Sequence, residues 1–236
     1  MHPQLESLLE AVRLRPDDAR THFELGNVWA SLGRHAESSD AFRRVIQLRP
    51  DVAAAYFNLA NALLSLAQWQ EAAQTLETCV RLEPSGESFE NLAAAYVRCE
   101  RLDAAIDALR KSLQHRPESL SAALRLASLL TAQEAYDEAK QLLEAAQRQT
   151  ADHPQVRATW AQWHQSQGNV FGAIASWGEA IALAPEQAEW RCYQGALLQL
   201  VGRHDEARRV IEEGLNLQPD DPRLQGFLNA CSSTKP

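Results

Sequence analysis

The sequence predicts an all-α chain built of stacked helical hairpins, and three observations carry that prediction. The prolines Pro16, Pro50, Pro84, Pro117, Pro185 and Pro219 recur at spacings of 34, 34, 33, 68 and 34 residues, the 68 being two periods. A fixed period of this size marks a repeated supersecondary unit. Each period holds two apolar runs with i, i+3, i+4, i+7 spacing, split by a polar turn such as LGRHAE or VGRHDE, which reads as two short amphipathic helices. The strict alternation expected of strands is nearly absent.

Taken in order, residues 1–18 read as a second helix without its first, since Leu8, Ala11 and Pro16 reproduce the end of a unit. Six units follow at 19–52, 53–85, 86–119, 120–153, 154–187 and 188–221. Position 151, where the missing proline would stand, is Ala151, and the register continues past it. Residues 222–236 read as a capping helix, PRLQGFLNAC, with a frayed flank SSTKP.

Within the units, Gly26, Ala60, Ala93, Ala127, Ala161 and Gly195 share one first-helix position, and Ser38, Ala72, Ala105, Ala139, Ala173 and Ala207 share one in the second helix. Small side chains there let the two axes approach, where a branched residue would force them apart. Large residues fill the complementary layer: Leu25, Leu59, Leu92, Leu126 and Trp160, then Phe42, Leu76, Leu109, Leu143, Trp177 and Ile211. The prolines end each second helix, because proline lacks an N–H and disfavours helix at its predecessor. At the first aromatic position the series runs His22, Tyr56, Phe89, Ala123, Arg157, Arg191, which predicts that this knob is lost in the last three units. Gln194 replaces a core leucine and His164 a core aromatic, so the second half is expected to pack differently, around Trp160, Trp163, Trp177 and Trp190. Trp163 and Trp190 fall outside the core series and are candidates for exposed contacts.

The pattern resembles the tetratricopeptide repeat family over nearly the whole chain, best in FELGNVWASLGRHAESSDAFRRVIQLRP and YFNLANALLSLAQWQEAAQTLETCVRLEP. The resemblance implies a right-handed α-solenoid, or superhelix, in which each hairpin shares its apolar face only with its neighbours. It also implies that the first helices line a concave groove. On that wall stand Phe23, Asn27, Phe57, Asn58, Asn61, Asn91, Arg98 and Arg125, and also Leu124, Thr131, Thr159, Gln162, Gln165, Cys192 and Tyr193.

Asparagine is a mediocre helix former, so its recurrence at inward positions of three adjacent first helices needs a reason beyond propensity. An amide donates and accepts, and can hold the backbone of an extended peptide without reading its side chains. At about 0.5–1.5 kcal/mol per hydrogen bond, four such clamps give only a few kcal/mol, so Phe23, Phe57 and the arginines must add anchoring contacts. The bland alternative has these asparagines solvated or bonded to neighbouring helices. Asn61, Asn91 and Arg125 are similar to part of the carboxylate clamp with which some relatives grip an acidic chaperone tail, but Phe57 and Ser121 stand where a clamp lysine belongs, which argues against that ligand. Asn58 and Asn91 are similar to two rungs of the asparagine rows in O-linked N-acetylglucosamine transferases, and the likeness stops at Arg125.

The function expected is therefore a non-catalytic scaffold that binds a protein or peptide, with Arg98 and Arg125 meeting acidic groups. The alternative is a targeting module cut from a larger enzyme such as a glycosyl- or sulfo-transferase. Self-association through the incomplete N-terminal end is a further expectation. The 23 Lys+Arg against 31 Asp+Glu give a net charge of −8, shared equally by the halves on either side of Glu118, which leaves no basic half for nucleic acid. Four cysteines without a CxxC suit a reducing compartment rather than a disulfide scaffold or zinc ribbon. Charges interrupt every potential membrane span, no leader is evident, and the chain reads as cytoplasmic. None of the seven histidines pairs with another His or Cys at metal-ligand spacing, no phosphate-loop motif is present, and Asp-Glu pairs such as Asp205 and Glu206 read as solvated helix starts. No cofactor, metal or catalytic residue is expected. His164 is expected to be a hydrogen-bonded core residue and Cys192 an inert thiol.

Overall fold

The computed structural model describes residues 3–233, and among them are fourteen α-helices and no strand. The tail residues 234–236 and His2 lie outside the described residues. The fold is all-α, and the chain divides into two compact units, 1–122 and 123–236. Every helix is 12 to 14 residues long. Helices this short are marginal in isolation, so tertiary packing of their apolar faces must hold them.

The first unit contains α1 (Pro3–Leu14), α2 (Ala19–Ser31), α3 (His35–Leu48), α4 (Ala53–Ser65), α5 (Trp69–Leu82), α6 (Gly86–Arg98) and α7 (Leu102–His115). Each helix packs on the next, and the first helices of successive hairpins also touch, α2 on α4 and α4 on α6. The small-residue positions are where the hairpins close. A Cβ on Gly26 would lie 2.8 Å from the Phe42 ring, and the buried Ser38 hydroxyl donates to the Gly26 carbonyl at 3.0 Å. Leu25, Leu59 and Leu92 are buried opposite Phe42, Leu76 and Leu109. At the leading end, Leu5 and Leu8 of α1 cover Leu25, Val28 and Trp29. Asp18 caps α2 by accepting from the Arg20 amide, and Ser85 and Ser88 form a capping box on α6.

The second unit contains most of α8 (Leu120–Ala132), then α9 (Tyr136–Gln149), α10 (Pro154–Ser166), α11 (Val170–Leu183), α12 (Ala188–Leu200), α13 (His204–Leu217) and α14 (Pro222–Ser233). From α9 onward each helix again packs on the next, and α14 rests on both α12 and α13. Trp177 and Ile211 are fully buried, and Trp190 joins the Trp177 cluster at 9% exposure. The expectation of an exposed Trp190 is therefore corrected. Trp163 is half-buried, and its indole N–H donates to the Tyr136 carbonyl at 3.1 Å, so it too is a packing residue. A Cβ on Gly195 would meet the Phe227 ring at 3.0 Å, so the small residue there lets α14 seat.

Two local devices recur through both units. The turn inside every hairpin places one residue at positive φ, and it is always the fifteenth of its unit: Gly33, Ala67, Glu100, Glu134, Gly168 and Gly202. Three of these are glycines, which adopt that conformation without strain, and three are not. The second device revises the expected loss of the knob. His22, Tyr56, Arg157, Arg191 and Gln225 each bond the carbonyl six residues earlier, on Pro16, Pro50, Ala151, Pro185 and Pro219. Arginine replaces the aromatic ring in the last two hairpins but keeps the bond, while Phe89 only fills space and at Ala123 the knob is lost as expected. Gln225 shows that α14 stands in first-helix register.

Candidate functional site

The first unit brings five of the expected residues onto two neighbouring first helices: Phe23 and Asn27 on α2, and Phe57, Asn58 and Asn61 on α4. Asn91 and Arg98 follow on α6. A spacing of three or four residues keeps Phe23 with Asn27, and Asn58 with Asn61, on one face of its helix.

The asparagines bond to one another. The Asn58 amide donates to Asn27 Oδ1 at 3.1 Å, and the Asn91 amide donates to Asn61 Oδ1 at 2.8 Å. Each pair joins the ninth position of one unit to the sixth of the next. The bland reading thus holds for one hydrogen bond of each side chain. Each pair consumes one N–H and one acceptor site, and an asparagine offers two of each kind. What remains is a row of amides held in fixed orientation with part of their bonding capacity unspent. Between the helices, Asn27, Asn58, Asn61 and Ser65 surround a depression of about 160 Å³ whose floor is Phe42.

Phe23 is half-buried and meets Phe42 edge to face at 5.5 Å, so its ring is partly committed to the core. Phe57 is half-buried beside a second cavity of about 190 Å³, which Cys79, Glu83 and Glu87 also line. The surroundings of Phe57 are therefore acidic. Arg98 is exposed, and its guanidinium lies 4.5 Å from the centre of the Trp69 ring, a cation–π contact that fixes the head group but leaves its N–H donors open. Arg125 is exposed on α8 in the second unit.

Several wall assignments are corrected. Leu124, Thr131 and Thr159 are buried, Thr131 and Thr159 donating to carbonyls of their own helices. Cys192 packs against Ala188, Ile211 and Leu224 under α14, and burial with the Asp221 charge pushes its thiol up, away from the reactive range. His164 is half-buried, stacked on Trp160 and edge-on to Trp163, with Nδ1 3.3 Å from the Asn169 amide nitrogen; burial lowers its pKa. It stands in the last turn of α10.

In the second unit the wall residues Gln162, Gln165 and Tyr193 form a site together with Ser166 and Trp177, which the sequence did not single out as one. Gln162, Gln165 and Ser166 of α10, Trp177 of α11 and Tyr193 of α12 line a cavity of about 420 Å³. The signal was present in the repeat register, since Gln162 occupies the position of Asn27, Tyr193 that of Asn58 and Trp177 that of Phe42.

Comparison with known proteins decides the family. Tetratricopeptide repeat profiles match residues 4–51, 30–96 and 99–162, more than half of the chain. The chain belongs to the tetratricopeptide repeat family. Among curated proteins none matches it significantly. Of solved structures, a tetratricopeptide repeat protein from Parabacteroides merdae is similar with TM-score 0.75 at 15% identity, over 92% of this chain and 93% of that one. YrrB, described as a TPR protein with an unusual peptide-binding site, is similar with TM-score 0.67 at 19% identity, over 78% and 95%. The Cut9–Hcn1 hetero-tetramer of the APC/C is similar with TM-score 0.69 at 14% identity, over 97% of this chain but 46% of that one. At these identities the likeness is one of fold. Among the described residues no helix is long and apolar enough to cross a membrane.

Proposed function

We propose that this protein is a non-catalytic, cytoplasmic scaffold that holds an extended peptide or protein segment along its first helices. Asn27, Asn58, Asn61 and Asn91 meet the backbone of the segment, and Phe23 and Phe57 meet its side chains. Arg98 in the first unit and, separately, Arg125 in the second receive acidic groups, while Glu83 and Glu87 beside Phe57 favour a basic or neutral side chain at that point. The observation that carries the reading is the pair of amide bridges, Asn58 to Asn27 and Asn91 to Asn61. Bridged amides are pre-oriented, so a ligand gains their remaining bonds with little ordering cost. The peptide-binding site ascribed to YrrB supports the same reading by analogy of fold.

The test is capture of partners from native lysate and on a peptide array by the full chain and by Asn58→Ala/Asn91→Ala. The variant is expected to lose at least tenfold in capture of peptides that bind the parent. Unchanged capture of every partner, with the variant folded by its helical circular dichroism, would remove these residues from the site.

A further inference from the structure

The repeat register brings the same two positions together at each joint; amide pairs bridge them in the first unit, and Gln162 and Tyr193 leave them open in the second. Between α2 and α4 the amide bridge from Asn58 to Asn27 reduces the space above Phe42 to about 160 Å³. In the second unit the equivalent residues are Gln162 and Tyr193, above Trp177. Here the Tyr193 hydroxyl donates along its own helix to Glu189 Oε1 at 2.6 Å instead. The cavity that Gln162, Gln165, Trp177 and Tyr193 line stays at about 420 Å³. That volume falls within the range of about 300–1,000 Å³ typical of ligand pockets.

Its chemistry is specific. None of the lining residues is charged, and the nearby Glu189 carboxylate is taken up by the Tyr193 hydroxyl, so a charged group brought inside would lose hydration with little compensation. The ring of Tyr193 is 40% exposed and lies 5.1 Å from that of Trp177, giving an aromatic wall and floor. Gln162 and Gln165 are exposed at the rim and offer amide donors and acceptors. Trp177, itself 1% exposed, backs the cavity from beneath the Tyr193 ring.

We propose that this cavity is a receiving pocket for an uncharged aromatic side chain, tyrosine or phenylalanine, of the bound segment, with Tyr193 as the ring contact and Gln162 and Gln165 holding the adjoining backbone. The bound segment rests on the scaffold reading above, but the pocket does not depend on the asparagine row.

The experiment follows the indole N–H signals of the six tryptophans by nitrogen-edited NMR on the full chain, with Trp177 assigned through Trp177→Phe. N-acetyl-L-tyrosinamide and N-acetyl-L-phenylalaninamide are expected to shift the Trp177 signal saturably, and N-acetyl-L-lysinamide to bind at least tenfold more weakly. The double variant Gln162→Asn/Tyr193→Asn, which installs the amide pair of the other joint, is expected to weaken binding of the aromatic probes at least tenfold. Gln162→Glu, at an exposed position where folding is not at risk, is expected to do the same. Asn58→Ala/Asn91→Ala should leave the probe response intact, so that loss of peptide capture there and loss of the pocket are read separately. A Trp177 signal indifferent to aromatic probes, equal response to the lysine probe, or unchanged binding in Gln162→Glu overturns the proposal.

Discussion

Hairpins of the two units share a backbone plan and differ in what they put at the joints. In the first unit the joints carry asparagine pairs, the first of them over Phe42; in the second a joint carries Gln162 and Tyr193 over Trp177, with Trp190 packed beside it. In four of the hairpins the carbonyl six residues before the fourth position is met by the residue there, His22 and Tyr56 in the first unit and Arg157 and Arg191 in the second. The difference teaches that the repeat constrains only helix spacing, through the small residues, and leaves the inward side chains free to diverge. At the joints the first unit sets amide pairs, and the second sets a tyrosine ring against a tryptophan.

The largest effect separating the halves is expected at the floor of each joint. Phe42→Ala and Trp177→Ala should each cost about 3–5 kcal/mol, read from the chemical-unfolding midpoint. Trp177 stands under the larger cavity, so a cost below about 1 kcal/mol there would show that the second unit has no core at this point.

Next come the arginines. Arg191 is buried and bonds the Pro185 and Val210 carbonyls, whereas Arg157 keeps a side-chain exposure of 24% and bonds one carbonyl. Removing Arg191 takes away its bonds to two carbonyls and its ion pair with Glu213 from a buried side chain, at about 0.5–1.5 kcal/mol per bond. Arg191→Met should therefore destabilise clearly more than Arg157→Met, and equal effects would break the parallel drawn between them.

The hairpin turns give a smaller effect with opposite signs. Ala67, Glu100 and Glu134 hold positive φ at a cost of about 1 kcal/mol that glycine avoids. Substituting glycine at any of the three should raise thermal stability, and alanine at Gly33, Gly168 or Gly202 should lower it.

The smallest effect is one of pH. Asp221 holds its carboxyl down to about 2, chiefly through its bond to Arg223, and accepts from the amides at the start of α14. A depressed carboxylate pKa contributes stability above its unfolded value of about 3.8, and the contribution is lost as pH falls toward 2. Amide exchange in α14 should quicken across that window more in the wild type than in Asp221→Asn.

Residue spacing alone determined the hairpins, their register and their small-residue seams, because period, turn chemistry and side-chain volume are local properties of the chain. It also pointed to Asn27, Asn58, Asn61 and Asn91 as a set. That these amides bond in pairs, that arginine can replace an aromatic ring by bonding the same carbonyl, that Trp190 turns inward and that Gln162 and Tyr193 leave a space were decided only by tertiary structure. Each depends on the rotamer a side chain takes against a neighbouring hairpin some thirty residues away, and sequence spacing fixes which face a residue shares, not which of its bonds the neighbour completes.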